Sequence, residues 1–470
     1  MLLEKKKTSV LKNNISNVLE VEKVDKTLDK TFPINMSVEG ALALKMNTDL
    51  SNKQYQMIRN SALVHNVHIY PTLHDIFVEK LKRYPENIHF SEISAKCILQ
   101  SMLDYTVSRI TEMIDMPNFG QSDEIFGVLY GKIGFDEASS QSIYKQKYDT
   151  SNASIELKNE ENLFSTAFVP LLLKVEDGEI WKNENPSSCQ FCRPLHLQYK
   201  KESPILSREE ESGLKNQINT LKTFCKVFNI AGTILTFNIS YRIYLTMFDN
   251  KVVSALTETK STQSCNVCNA KPKEMSYIDL LKAKTENDSA LGLGISALHC
   301  WIKCLEFILH SSYKIEIKKY KPKTIEQKLS VDLKKKEIQV LFRERLSLYV
   351  DMPKTGSGNT NDGNTARRAF KNSEVFSEIT KVDCDIIKRL HNILITISCG
   401  FPIIINELDL YCTETAKRIV NLYNWYVMPP TVHKLLLHSS SISNKLPLPI
   451  GIYSEDALES LNKQRLKSLK

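Results

Sequence analysis

Two Cys-x-x-Cys pairs, Cys189/Cys192 and Cys265/Cys268, and two close histidines in His433-Lys-Leu-Leu-Leu-His438 are spaced for metal chemistry. Zn²⁺ takes four soft or borderline ligands in a tetrahedron, and one Cys-x-x-Cys knuckle supplies two of them. Spacing leaves two pairings open: all four cysteines, or one cysteine pair with the two histidines. On one straight α-helix, side chains five residues apart point about 140° away from each other. One histidine must therefore lie at a helix end if both are to reach an ion. Cys300, Cys304, Cys384, Cys399 and Cys412 fall inside apolar patterns and read as buried small hydrophobes.

A second candidate is Lys354-Thr-Gly-Ser-Gly-Asn-Thr-Asn-Asp-Gly-Asn-Thr-Ala-Arg-Arg368. Its glycines permit positive φ, and its end reads as the start of a helix carrying Arg367 and Arg368. Main-chain N–H groups there could cradle an anion. The stretch has neither a Walker A ending nor a dinucleotide fingerprint, which disfavours a nucleotide-hydrolysing motor. The basic stretch 314–336, with Lys318, Lys319 and Lys321, suits phosphate contacts that are blind to sequence. The same lysines read equally as a solvated helix face.

The elements that must position these groups follow from patterning. Residues 1–36 are Lys- and Asn-rich and read as a mobile basic arm. From Val38 to about Met116 the pattern is helical, with Ser91 expected to cap a helix striped by Ile93, Cys97, Ile98, Met102, Leu103, Val107, Ile110 and Met113. Between Ile125 and Thr259 short apolar runs (Ile125–Tyr130, Phe168–Lys174, Tyr241–Phe248) predict strands of a mixed sheet. Helical texture returns over Tyr277–Val350, Ala366–Ser398 and Leu408–Tyr423, and again from Glu455, so the expected class is α+β.

With 470 residues, 42% of them hydrophobic and 25% charged, wholesale disorder is excluded. The net charge of +8 is compatible with a polyanionic partner. The start, MLLEKKKTSV, lacks the apolar run of a secretory signal. Of the two membrane candidates, Phe228–Phe248 is interrupted by Asn238 and Arg242, and Ile393–Ile405 is too short. The expectation is an intracellular chain with no membrane partner, in which paired cysteines bind metal more readily than they form disulfides.

Several phrases, in matching order, carry a family resemblance. They are Gly134-Phe-Asp-Glu-Ala-Ser-Ser-Gln-Ser142, Leu245-Thr-Met-Phe-Asp249, Cys265-Asn-Val-Cys268, Ala297-Leu-His-Cys300, Asn361-Asp-Gly-Asn-Thr-Ala-Arg367, Val432-His-Lys-Leu-Leu-Leu-His438 and Glu459-Ser-Leu-Asn-Lys463. The chain resembles the Transib-like transposases and the catalytic chain of the V(D)J recombinase, enzymes of the DDE class. The resemblance implies a ribonuclease-H-like catalytic core interrupted by a large helical, zinc-braced insertion. Asp136, Asp249 and Glu459 match the three carboxylates that hold Mg²⁺ or Mn²⁺, Asp136 bridging two ions. Cys265, Cys268, His433 and His438 match the structural zinc ligands, and Cys189 becomes a bystander. His299 is placed near the scissile phosphate, with Arg367, Arg368 and the lysines as backbone contacts.

On this resemblance the chain divides into an arm (1–36), a helical dimerisation and DNA-binding region (37–120), the first part of the core (121–260), the zinc-binding insertion (261–440) and a C-terminal catalytic helix (441–470). It implies a nuclear homodimer that nicks double-stranded DNA and joins strands by transesterification, with room for an accessory recombinase subunit. Family members commonly carry glycines after the first Asp. Here Glu137-Ala138-Ser139-Ser140 follows instead, and a carboxylate beside Asp136 would raise the local pKa or misplace a metal. Two alternatives follow: a domesticated, catalytically impaired zinc-containing protein that binds DNA without cutting it, or a zinc-braced interaction scaffold.

Overall fold

The computed structural model describes residues 35–113, 124–138, 162–176, 178–230, 233–354 and 358–468. The arm expected over 1–36 lies outside them except for its last two residues, as do Ser139 and Ser140. The chain divides into two units at Tyr84/Pro85. In the first, helices α1 (Val38–Asn47), α2 (Asn52–Val64) and α3 (Leu73–Leu81) each begin at a hydroxyl cap: Ser37, Ser51 and Thr72. Side-chain acceptance from backbone N–H groups at these positions satisfies donors that a helix start leaves open. Ala41, Leu42, Tyr55 and Ile76 form the small core of this unit.

The second unit is built on a mixed sheet of strands β1 (Ile88–Phe90), β2 (Ser94–Cys97), β3 (Glu124–Ala138), β4 (Leu163–Val175), β5 (Gly178–Lys182), β6 (Arg193–Tyr199), β7 (Phe224–Ile230) and β8 (Thr233–Met247). Their order is β1-β2-β6-β4-β3-β8-β7, with β5 beside β4. All pairs are antiparallel except β3 with β8, which run parallel. β4 is buried along almost its whole length, as its near-continuous apolar sequence requires of a strand covered on both faces.

Residues alternate across β3. Ile125, Leu129, Ile133 and Phe135 enter one core with helices α4 (Leu99–Met113), α5 (Pro204–Asn219) and α6 (Asn250–Leu256). Ala167, Val169 and Leu171 of β4 and Met247 of β8 face a second core, made with the helical region. That region comprises α7 (Ile278–Lys282), α8 (Asp288–Gly292), α9 (Ala297–Ser312), α10 (Ile325–Leu346), α11 (Gly363–Lys371), α12 (Ser373–Thr380), α13 (Cys384–Ser398), α14 (Ile405–Leu422) and α15 (Pro430–Lys445). The last helix, α16 (Asp456–Ser468), follows a 3₁₀ turn at Ile450–Tyr453.

Several expectations need correction. Ser91 does not start a helix. Its hydroxyl accepts from Ser94 N at 3.0 Å and closes the β1–β2 turn, because Ser94–Lys96 finds backbone partners on β6. The helix begins at Leu99. α5, β6 and β7 were not anticipated. Cys300, Cys304 and Cys412 are buried as expected, whereas Cys384 and Cys399 are only partly so, since they flank the ends of α13. Of Phe228–Phe248, residues 228–230 fall in β7 and 233–247 in β8, and no helix among the described residues is long and apolar enough to cross a membrane.

Gly134 sits at the irregularity where β3 and β8 shift register, two residues before Asp136. A Cβ there would overlap the Met247 carbonyl oxygen and Met247 Cβ. Neither atom is at the far end of a flexible side chain, so the strands must separate. We expect Gly134→Ala to lower unfolding free energy by about 3 kcal/mol, the upper range for an overpacked core. Urea denaturation measures it, and an unchanged midpoint would show that the strands part freely.

Candidate functional site

Asp136 lies near the end of β3, and Asp249 follows the end of β8, so the parallel pairing of the two strands brings both carboxylates to the same edge of the sheet. Asp249 caps α6: Oδ1 accepts from Val252 N at 2.7 Å, a carboxylate placed at the positive end of a helix. Glu459 arrives on α16, three positions before Asn462 and so on the same helix face. Asn462 Nδ2 donates to Asp136 Oδ2 at 3.1 Å, while Ser165 Oγ on β4 donates to Asn462 Oδ1 at 2.8 Å.

Burial first, then the nearby charges of Asp249, Glu459 and Glu202, push the Asp136 carboxyl up to about 7 against the lowering effect of Asn462. Glu202 is the acid that sequence reasoning missed. It stands just before Ser203, the cap of α5, and carries no motif beyond that. Glu137, expected to crowd Asp136, instead accepts from the Glu202 backbone N–H at 2.5 Å. Alternation along the strand turns it away. Lys251 pairs with Glu202 at 3.0 Å.

The segment before α16 is tethered to the sheet by a buried lysine. Lys132 is fully buried, and its Nζ donates to the carbonyls of Ile452 at 2.8 Å and Ser454 at 2.6 Å. Burial holds this ammonium down at about 8, partly opposed by Cys192, Asp456 and Glu455. His299 lines a groove of about 500 Å³ that also contains Asp249, Lys251, Tyr320 and Tyr426. Lys319 and Lys321 are exposed on either side of Tyr320, and Lys318 is exposed with a left-handed backbone.

Arg367 lies over the Trp301 ring and reaches Asp456 at 4.0 Å, whereas Arg368 donates to the Leu346 carbonyl. The anion cradle expected at the start of α11 is filled by the chain itself: Asp362 accepts from Thr365 N at 2.9 Å. Lys354 pairs with the same carboxylate at 3.1 Å.

A second centre lies beyond Asp249. Cys265, Cys268, His433 and His438 are buried, and one ligand atom from each lies within 4.8 Å of all the others. This cluster could hold a metal ion such as zinc, and the cysteine pair joins the histidines rather than Cys189 and Cys192. Cys265 O accepts from Asn269 N, and Val267 N points at Cys265 Sγ at 3.4 Å, which shapes the knuckle. His433 stands in the first turn of α15, at the helix end that the five-residue spacing calls for, and His438 in its middle, their rings 5.3 Å apart.

Glu286 accepts from His438 Nδ1 at 2.5 Å, leaving Nε2 buried without a hydrogen-bond partner. A carboxylate on the second ring nitrogen is the usual support of a metal-bound imidazole. The Cys268 thiol, opposed by burial and joined by both histidines, holds the Cys265 thiol below its ordinary value, toward the thiolate that metals bind. Asn266, inside the knuckle, donates to Asn250 Oδ1 at 3.0 Å, one residue from Asp249. Among the described residues only this set meets the 4.8 Å spacing, so the carboxylates interact across a wider site.

No family model and no curated sequence matches the chain. The roles of these residues are therefore argued from their arrangement.

Two outcomes follow. Cys265→Ser should lose bound metal and stability together, because binding on the order of 10 kcal/mol is coupled to folding at such sites. Metal analysis after purification, with Cys189→Ser as the retained control, decides the pairing. For Asp136, a folded pKa of about 7 above the ordinary 3.8 means the folded state holds the proton longer. Cation-free protein should therefore lose stability as pH rises from about 4 to 7, and Asp136→Asn should flatten that slope. Urea midpoints across this range measure it.

Proposed function

We propose that the chain is a DNA-cleaving recombinase of the transposase type, with a ribonuclease-H-like core. What carries the reading is the convergence of Asp136, Asp249 and Glu459 from β3, β8 and α16 at one edge of the sheet. The strand order β6-β4-β3-β8-β7, in which β3 and β8 are the one parallel pair, supports that fold. Three of the phrases that resemble Transib-like transposases and the V(D)J recombinase, those carrying Asp136, Asp249 and Glu459, fall on these elements or at their ends.

The donor set fits hard divalent cations, which take carboxylate oxygens. Mg²⁺ or Mn²⁺, when bound, would supply Lewis acidity to the attacking and departing oxygens of a phosphodiester. Asp136, which feels the charge of both Asp249 and Glu459, would hold a cation together with them, and the proton it retains to about pH 7 is the one a cation would displace. Asp249 and Glu459 flank it. A structural zinc at Cys265, Cys268, His433 and His438 braces the helical insertion.

Lys251 lines the groove beside Asp249, and the exposed Lys319 and Lys321 are chain neighbours of Tyr320 in the same groove. With Arg367 they offer positive charge suited to DNA phosphates, so binding should weaken steeply with salt. Met57, Val64, Phe77 and Leu81 leave apolar surface exposed on α2 and α3, which supports a homodimer joined through such helices. The proposed setting is the nucleus, where the substrate lies, and an accessory recombinase subunit is compatible with it.

The test is a nicking assay on end-labelled duplex DNA with Mn²⁺. Asp136→Ala, Asp249→Ala and Glu459→Ala should each lose about 10³-fold or more in rate, as for groups acting as a unit. Each should still bind DNA, since the phosphate contacts come from elsewhere. Glu137→Gly should not speed cutting, because Glu137 positions Glu202 instead of crowding Asp136. An Asp249→Ala protein that nicks normally sinks the proposal. Binding without cutting by the wild type favours a domesticated DNA-binding descendant.

A further inference from the structure

We propose that Glu455, together with Ser296, is a positioning residue that fixes the His299 ring so that its Nε2–H is presented to a phosphate oxygen in the carboxylate site. The inference rests on the cleavage reading above and concerns Glu455 and Ser296, which no motif marks.

Glu455 precedes α16 and is only 4% exposed. Its Oε1 accepts from Ser296 Oγ and from His299 Nδ1, the latter at 3.1 Å. Its Oε2 is buried with no hydrogen-bond partner. Ser296 caps α9, accepting from His299 N at 3.0 Å, and its Oγ also stands 2.8 Å from His299 Nδ1. The hydroxyl proton of Ser296 is committed to Glu455, so the serine meets the ring nitrogen as an acceptor. Nδ1 then carries a proton, and Nε2 is the position left for the substrate.

The imidazole is 27% exposed at its side chain and lines the groove beside Asp249, so its free edge faces solvent where a phosphodiester would lie. Lys251, Lys303, Glu306 and His310 line the same groove. Lys303 is paired with Glu306 at 2.7 Å, and His310 with Asp351 at 3.2 Å, which leaves His299 as the imidazole beside Asp249.

The arrangement is not that of a serine nucleophile. In a Ser-His-carboxylate triad the ring lies between the other two groups, each on a different nitrogen. Here Ser296 and Glu455 meet the same nitrogen, and Ser296 is buried with its proton directed away from the ring. Such a set orients a ring and keeps it protonated; it does not activate a hydroxyl. A buried carboxylate with one unpartnered oxygen is costly unless a cation faces it. A charged His299 supplies that cation at Oε1, and the buried Lys132 ammonium, which interacts with the same carboxylate, adds a second positive charge nearby.

The test uses full-length protein with ¹⁵N-labelled histidine, in wild type, Glu455→Gln, Ser296→Ala and His299→Ala. Without metal or DNA, the His299 ring should show a hydrogen-bonded Nδ1–H in wild type that is lost in Glu455→Gln and weakened in Ser296→Ala. The folded state is verified by the unchanged signals of the other histidines. On end-labelled duplex with Mn²⁺, Glu455→Gln should cut about 10- to 100-fold more slowly at unchanged DNA affinity, with the loss growing toward alkaline pH. Glu455→Gln in the His299→Ala background should add nothing further. An unaltered ring signal in Glu455→Gln, or additive losses in the double variant, overturns the inference. If the wild type does not cut at all, the cleavage reading falls, and the ring signal alone decides whether Glu455 positions His299.

Discussion

Mutual repulsion among four carboxylates is the constraint around which the second unit is arranged. Asp136, Asp249, Glu459 and Glu202 reach one edge of the sheet, and burial plus like charge keep a proton on Asp136 to about pH 7. No isolated chain would gather these groups, so the gathering must be offset by contacts elsewhere. Asn462 offers Asp136 a donor, Lys251 neutralises Glu202, and the start of α6 receives Asp249. Lys132 ties the segment before Glu459 to the middle of β3. Two buried carbonyls satisfied by one buried ammonium form a costly tether if either partner is lost. That cost makes the position of α16 well determined.

The separation of these groups in sequence poses the second problem. Asn462 reaches Asp136 across 326 residues, and Cys268 reaches His433 across 165. Closing a long loop costs entropy that grows only slowly with its length, so a large insertion is tolerable provided something closes its base. The buried Cys/His set stands at that base. His433 Nδ1 and His438 Nε2 have no hydrogen-bond partners there, and four ionisable side chains without an ion would be a poor core.

Much of this was legible in the sequence where local chemistry and tertiary role agree. The apolar run of β4 and the Asp at the end of β8 are cases, as is the Cys-x-x-Cys knuckle, whose ligand set narrows once spacing joins a resemblance. Failures came where a short polar segment draws its conformation from a distant partner. Ser91 looks like a helix cap, yet the hydroxyl serves a hairpin because β6, about 100 residues on, offers backbone partners to Ser94–Lys96. Asp362 shows the converse: a helix start that could hold an anion carries its own carboxylate, so the empty-cradle reading failed on one side chain. Glu202 and Glu455 could not be found by pattern, since each gains meaning only from groups brought beside it by the fold. Glu137 misled for the same reason: adjacency in sequence along a strand is opposition in space.

The two centres also separate by ligand softness, which bears on how they depend on each other. Thiolates and imidazoles suit a borderline-soft ion, while carboxylate oxygens suit hard cations, so an ion that fits one centre would compete only weakly for the other. They are nevertheless mechanically joined. The knuckle residue Asn266 holds Asn250, and Asn250 opens the helix that Asp249 caps. On the other side, α15 carries both histidines and leads through the 3₁₀ turn at Ile450–Tyr453 to the Lys132 tether and then to Glu455 and Glu459. Loss of the ion from the Cys/His set would thus loosen Asp249 from one side and Glu459 from the other, although neither touches that set. A carboxylate site that must overcome its own repulsion tolerates little slack, so an ion held by the Cys/His set would help fix the distances between the carboxylates without touching them.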